Sequence, residues 1–318
     1  MSHPPTPTVI LRRGHAPGPP TRLASLLAGS LRSRFSPQAC SRTLVLVLTS
    51  ALAVACSDNK TEPRSYAEYQ GAAPAPLACV PNLDGRIDAS EAQPAIGTQI
   101  SYLVSPADVE RSVDLVGVNL GNGQFHWDFG TDFADDQRAE VVPAGVAGRW
   151  YQGSFPPDAF VTPFDAAGSV ENVLRHDDQA LWLLGVASRE EALAEGKTLL
   201  VYDAPVELLR FPIEPGGSFV SAGTIKNGTL RGLPYAGKDT YEVSADGMGE
   251  VVLPALAFTQ AHRVRTKVTV APAVGASTSR RHTSYFFECF AEVVRAVSRA
   301  DEPEADFSVA KELRRIGF

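Results

Sequence analysis

No apolar stretch in this chain is long enough to cross a bilayer. The longest candidate, Leu44 to Ala55, has twelve residues, ten of them Leu, Val or Ala. A helix of that length spans about 18 Å, against roughly 30 Å of hydrocarbon. It suits the hydrophobic region of a signal peptide instead, which takes roughly 7–15 residues. Chemistry-bearing motifs are equally scarce. There is no His-Glu-x-x-His and no Cys-x-x-Cys, so zinc spacing is missing. Without a Gly-x-Ser-x-Gly elbow the chain lacks the commonest nucleophile signature. Gly196-Lys197-Thr198 ends like a phosphate-binding loop, but it leads into an expected strand, the reverse of the order a phosphate cradle needs.

Negative charge is absent from the front of the chain. Residues 1–55 hold six arginines and no Asp, Glu or Lys. Of 29 basic and 36 acidic side chains, the remaining 263 residues therefore keep 23 and all 36, a formal charge of −13. A body that acidic is poorly suited to nucleic acid, whose binding depends on neutralising phosphates. A basic leader ahead of an acidic body is an export pattern, with Arg32, Arg34 and Arg42 holding the near end on the cytoplasmic side.

The apolar run closes on Leu52-Ala53-Val54-Ala55-Cys56. This resembles the lipobox of bacterial lipoproteins, in which small residues lead directly into a lipidated cysteine. The resemblance implies cleavage before Cys56, a diacylglycerol thioether on its sulfur and acylation of its new amine. Several acyl chains at about 0.8 kcal/mol per buried methylene give a durable anchor. Ser57, where an Asp would favour retention at the inner membrane, points to the outer membrane of a Gram-negative bacterium. Residues 1–42 are Pro-, Ser- and Arg-rich without hydrophobic period, and read as a leader extension or an over-extended start. Their composition also suits an organellar transit peptide; Cys56 directly after small residues favours the lipoprotein. Residues 43–55 are then the signal region, 56–78 a lipidated cysteine and Pro/Ala-rich tether, and 79–318 the folded part.

Two cysteines remain in that part, Cys79 and Cys289. In the oxidising compartment implied by export, two such thiols pair more often than they stay free. Just after Cys79, the stretch Asn82 to Glu91 resembles most of an EF-hand loop. Asn82, Asp84, Asp88 and Glu91 would be its calcium ligands, with Gly85 at the sharp turn. Val80 stands where the first carboxylate belongs, and the alternative is an Asp-Gly turn among polar residues.

From Ile100 onward, short extended runs alternate with Gly, Pro, Asp and Asn. Val264, Thr266, Val268 and Val270 alternate with Arg265, Lys267 and Thr269, the half-buried strand pattern. Further strands are expected at 112–119, 124–129, 180–187, 199–202, 206–211, 218–225, 240–244, 249–253 and 284–287. Asn227-Gly228 and Asp246-Gly247 read as hairpin turns. A helix is expected from Ser188 through Glu191 to Gly196, and another in the tail between Asp306 and Ile316. Residues 286–297 have both helical spacing and β composition and are read as a strand pair. The fold class is mainly β: an antiparallel sandwich or partly open barrel with one or two short helices.

His126-Trp127-Asp128 lies in an expected strand that places His126 and Asp128 on one face, with Asp132, Asp135 and Asp136 following. His126, Asp128 and Asp132 are the catalytic candidates, against a structural strand and an acidic loop. Trp150-Tyr151 with Phe155, Phe160 and Phe164 would line a ligand groove or pack a core. The reading is a lipid-anchored envelope protein whose β domain binds lipid, polysaccharide or another envelope protein. An envelope hydrolase with an acidic site is the alternative, and a purely structural envelope component a third. An apolar cavity would favour lipid; convergent polar groups around His126 in a cleft would favour the enzyme.

Overall fold

The computed structural model describes residues 78–164 and 168–317; Cys56 and everything before it lie outside the described residues. In chain order the strands are β1 (Ile100–Val104), β2 (Arg111–Ser112), β3 (Val118–Gly121), β4 (Gln124–Asp128), β5 (Gln137–Val141) and β6 (Ala144–Gly145). Next come β7 (Phe160–Pro163), β8 (Val170–His176), β9 (Ala180–Ser188), β10 (Leu199–Arg210), β11 (Ser218–Leu230) and β12 (Leu233–Val252). The last are β13 (Ala257–Pro272), β14 (Thr278–Phe287), β15 (Ala291–Val297), β16 (Val309–Ala310) and β17 (Glu312–Ile316).

From β6 to β15 each strand pairs with the one that follows it, an antiparallel meander. The sheet then continues through β17, β1 and β5. The last long strand thus pairs with the first: Tyr102 lies opposite Ile316 and Val104 opposite Arg314. The two edges of this sheet, β5 and β6, are consecutive in the chain, with only Val142 and Pro143 between them. The sheet is therefore curled, its edges joined by two residues and by no ladder between β5 and β6. It is a partly open barrel rather than a closed one.

Alternation along the strands divides the side chains between two faces. Inside the curl, Phe160, Leu174, Leu183, Tyr202, Val206 and Ile225 form one packed cluster. Ile87, Leu209, Ile213, Val243 and Val264 form another. Outside, the segment before β7 lays Val146, Tyr151 and Phe155 over Val173, Leu184 and Ala187. On the far side, Leu115, Trp127 and Phe129 cover Tyr285, Val293 and Leu313. The hairpin β3–β4 is held there by parallel pairing of β4 with β12.

Residues 78–97 form a strap across the sheet. The disulfide Cys79–Cys289 fixes its start, the pairing expected of the two cysteines of the folded part. Glu288, fully buried, accepts the backbone N–H groups of Asn82 at 2.6 Å and Leu83 at 2.9 Å. Cys289 donates its own N–H to the Glu91 carbonyl, and Ile87 pairs with Ile213.

Several local expectations need correction. Residues 189–196 are not helical: Ser188 ends β9, exchanging backbone and side-chain bonds with Thr198 instead of capping a turn. Gly196 is still required, at φ +85°, because it abuts the backbone of Gly232. The tail is extended as well, with β16 pairing β2 and β17 filling the gap between β15 and β1. Among the described residues the only helical pieces are 3₁₀ turns at Ala89–Glu91 and Gln152–Ser154. Asn227-Gly228 and Asp246-Gly247 are not hairpins but irregular points inside β11 and β12, where the register shifts. The hairpin between those strands turns at Arg231 and Gly232, both at positive φ. Expected strands at 199–202 and 206–211 merge into β10, and those at 240–244 and 249–253 into β12. The expected strand at 112–119 is broken by Asp114, whose carboxylate accepts from the N–H groups of Val116 and Gly117. The strand pair read at 286–297 is present as the end of β14 and β15.

Candidate functional site

The curl encloses a cavity of about 640 Å³. Its lining includes Ile100 and Val141 from one end of the sheet and Phe160 and Phe164 from the other, so both edges wrap the same space. The strap closes one side with Ala92, Pro94 and Ala95. Volume and composition fall within the range of small-molecule sites, roughly 300–1,000 Å³ with mostly apolar walls and a few placed polar groups.

The two walls differ. On β7 to β13 the inward positions are mostly apolar, among them Leu174, Leu183, Tyr241, Val264 and Val268, with Thr162, Asn172 and Thr266 between them. On β14, β15 and β17 the lining is mixed: Arg280, His282, Ser284, Glu292, Arg295, Glu312 and Arg314 share it with Phe286, Ala291 and Val297. Register explains the grouping, because Ser284 lies opposite Arg295, and Arg295 opposite Arg314. Arg295 Nε donates to Glu292 Oε2 at 2.9 Å, Ser284 Oγ donates to the same oxygen at 2.9 Å, and Arg314 holds Oε1. Arg314 also lies over the Tyr102 ring, 4.9 Å from its centroid. Burial pushes the Glu292 carboxyl up, but the two guanidiniums outweigh it and hold it down at about 2. His282 goes the other way: burial, reinforced by Arg295, lowers it to about 3, so its ring is neutral at ordinary pH.

A second buried polar group lies beside the apolar wall. Tyr202 donates to Asp239 at 2.6 Å, and burial raises the Asp239 carboxyl. Burial also pushes Tyr241, on the cavity wall, up to about 12.

The residues singled out in sequence fall elsewhere. His126 Nδ1 pairs with Glu250 Oε2 at 2.9 Å across the β4–β12 junction, away from the cavity. Asp128 accepts the Gly130 N–H at 2.7 Å, a local turn, and Asp132 is exposed. Asp135 and Asp136 bind Arg111, and Asp136 also binds Arg315. Asn82 accepts from the Asp84 N–H, Asp84 and Asp88 flank Arg86, and Glu91 caps the first 3₁₀ turn by accepting the Asp88 N–H at 2.9 Å. Among the described residues, no three His, Cys, Asp or Glu side chains converge as a cation site. The aromatic stretch divides: Tyr151 and Phe155 pack the outer core, whereas Phe160 and Phe164 reach the cavity.

Sequence reasoning missed the polar wall. From Thr278 to Ser284 every residue is polar, beside a valine-rich strand. Alternation alone does not say which face turns inward. Comparison of the chain with family models, curated proteins and solved structures returns no match. No helix among the described residues is long and apolar enough to cross a membrane.

Proposed function

We propose that this is a lipid-anchored envelope protein of a Gram-negative bacterium whose β domain holds a lipid-class ligand inside its curled sheet. The cavity carries the ligand half of this reading. A hollow of about 640 Å³ walled by Leu, Val and Phe leaves apolar surface uncovered, and occupation by an apolar chain would remove it from water. The lipobox-like sequence ending at Cys56 carries the anchor half. An acidic body, few thiols and one disulfide suit an exported domain. The hydrolase alternative gains no support from the position of His126, which is engaged by Glu250 on the outside of the sheet.

The test for the ligand is binding of a fluorescent apolar probe to the full chain exported into an oxidising compartment. Val268 faces the hollow from the middle of β13, so Val268→Trp should occupy the space and abolish probe binding while the protein still melts cooperatively. No binding by the parent protein, or equal binding by the variant, overturns the reading. For the anchor, radiolabelled palmitate should enter the parent protein and not Cys56→Ser. Label in both, or in neither, overturns it.

A further inference from the structure

Resting on that reading, we propose that the bound lipid carries an anionic oxygen head group, carboxylate or phosphate, received by Arg295 and Arg314 with Arg280 at the rim. Three guanidiniums line the hollow against two carboxylates, Glu292 and Glu312, in a body whose formal charge is −13. The local surplus is therefore opposite in sign to the rest of the chain. Glu292 engages one nitrogen of each inner arginine, Nε of Arg295 and a terminal nitrogen of Arg314. Other donors stay open. The Arg314 side chain is 9% exposed, and its buried Nε has no partner among the described residues. The Arg280 side chain is exposed at the cavity rim, with no hydrogen bond or ion pair among them. A buried donor without a partner is costly, and an anionic oxygen would satisfy it with a charge-assisted bond.

The geometry is two-sided in the way such a ligand requires. An acyl chain would lie against Leu174, Leu183, Val264 and Val268, while its head group meets β14, β15 and β17 across the hollow. His282, neutral and on β14 next to the apolar wall, adds a hydrogen-bonding ring without adding charge. Glu292 holds the two guanidiniums side by side before any ligand arrives, which spares the ordering cost of two long side chains.

Hexadecanoate and hexadecanol share a chain and differ only in the head group. The full exported protein should bind both by calorimetry, the acid at least tenfold tighter. That factor is roughly the scale of one charge-assisted hydrogen bond. Arg295→Gln and Arg280→Gln should each weaken the acid severalfold and leave the alcohol unchanged. Arg280→Gln lies at the exposed rim and keeps the fold intact, so the test stands even if Arg295→Gln unfolds. A single-chain lysophosphatidate serves as the phosphate arm, and tighter binding than hexadecanoate identifies phosphate as the source. If acid and alcohol bind equally, or the variants weaken both alike, the head-group inference fails while the cavity reading survives. Should neither ligand bind, both fall.

Discussion

Arg315 and Asp136 form the most enclosed ion pair of the described residues, with side-chain exposures of 0% and 5%. Arg315 also donates to the carbonyls of Phe129 and Thr131 at 2.6 Å, and Asp136 receives Arg111 at 2.9 Å as well. The acidic loop, which the sequence offered as the structural alternative to a reactive cluster, is a lock, fastening the segment after β4 to the outer face of β17. Breaking a buried pair from one side typically costs about 3–5 kcal/mol, because the other charge stays buried. Asp136→Ala should lose about that much in urea unfolding, while exposed Asp132→Ala stays within about 0.5 kcal/mol. A loss below about 1 kcal/mol for Asp136→Ala would refute the lock.

Gly249 is a second point at which small changes should matter. A Cβ there would sit 1.9 Å from the Phe125 carbonyl oxygen, where β4 runs parallel to β12. Gly249→Ala should push β4 away and expose Trp127, now fully buried between Phe125 and Tyr285. We expect a loss of about 3 kcal/mol or more with a red shift of tryptophan emission. An unshifted spectrum with parental stability would show that the strand tolerates the methyl group.

What could be read in the sequence was the class of fold, and the reason is local. Val264 to Val270 alternates because Val264, Thr266, Val268 and Val270 line the hollow, while Arg265 and Lys267 make ion pairs with Asp246 and Glu242 on the other face. The tail read as a helix because Ala310, Lys311, Glu312 and Leu313 favour one in isolation. Instead the gap between β1 and β15 needs a strand, and pairing on both sides outweighs propensity. Asn227-Gly228 and Asp246-Gly247 have turn chemistry, yet strands of 13 and 20 residues carry them as irregularities that bend the sheet. The hollow comes from the curl of the whole sheet, and no local pattern encodes it. Nothing in the sequence marks Glu292, Arg295 and Arg314 as facing inward for that reason.

The disulfide should govern both stability and the ligand. Its bond closes a loop of 210 residues, worth about 5 kcal/mol at most in the chain-entropy model. Cys79→Ser with Cys289→Ser should lower stability by about 2–5 kcal/mol. Because Cys289 and the strap residues Ala92 and Ala95 border the hollow, bound probe should also dissociate faster. Parental stability and parental dissociation rate together would refute the strap's role.

Acid should destabilise the protein before its carboxylates titrate. Burial lowers His262 to about 4 and His282 to about 3. Both are neutral when folded at pH 6, whereas in the unfolded chain they take up protons as pH falls through about 6.5. The unfolded state then binds more protons, so stability falls with pH below about 6.5 until the folded values are reached. Glu292, held at about 2, adds to the loss below about 4.5, and Asp239, raised by burial, opposes it. Around His282 the charged groups are Arg280, Arg295, Arg314 and Glu292, so its slope depends on that wall staying intact. His262 has neither ring nitrogen bonded among the described residues, so His262→Phe should raise the melting temperature at pH 7 and flatten its fall toward pH 5. An unchanged slope in that variant would remove His262 from the account.

The joint at Val142 and Pro143 gives the curled sheet one line along which it can part. Along most of the wall, spreading two neighbours would rupture a ladder of amide–carbonyl bonds, although β10 and β11 are in register only at Leu199 and Thr229. At this joint β5 and β6 share none, and Pro143 has no N–H to offer. The backbone tie of Pro143 runs to the strap instead, where its carbonyl accepts the Gly97 N–H at 2.8 Å, so a mechanically weak line of the wall coincides with the place where the chain steps from one edge of the sheet to the other.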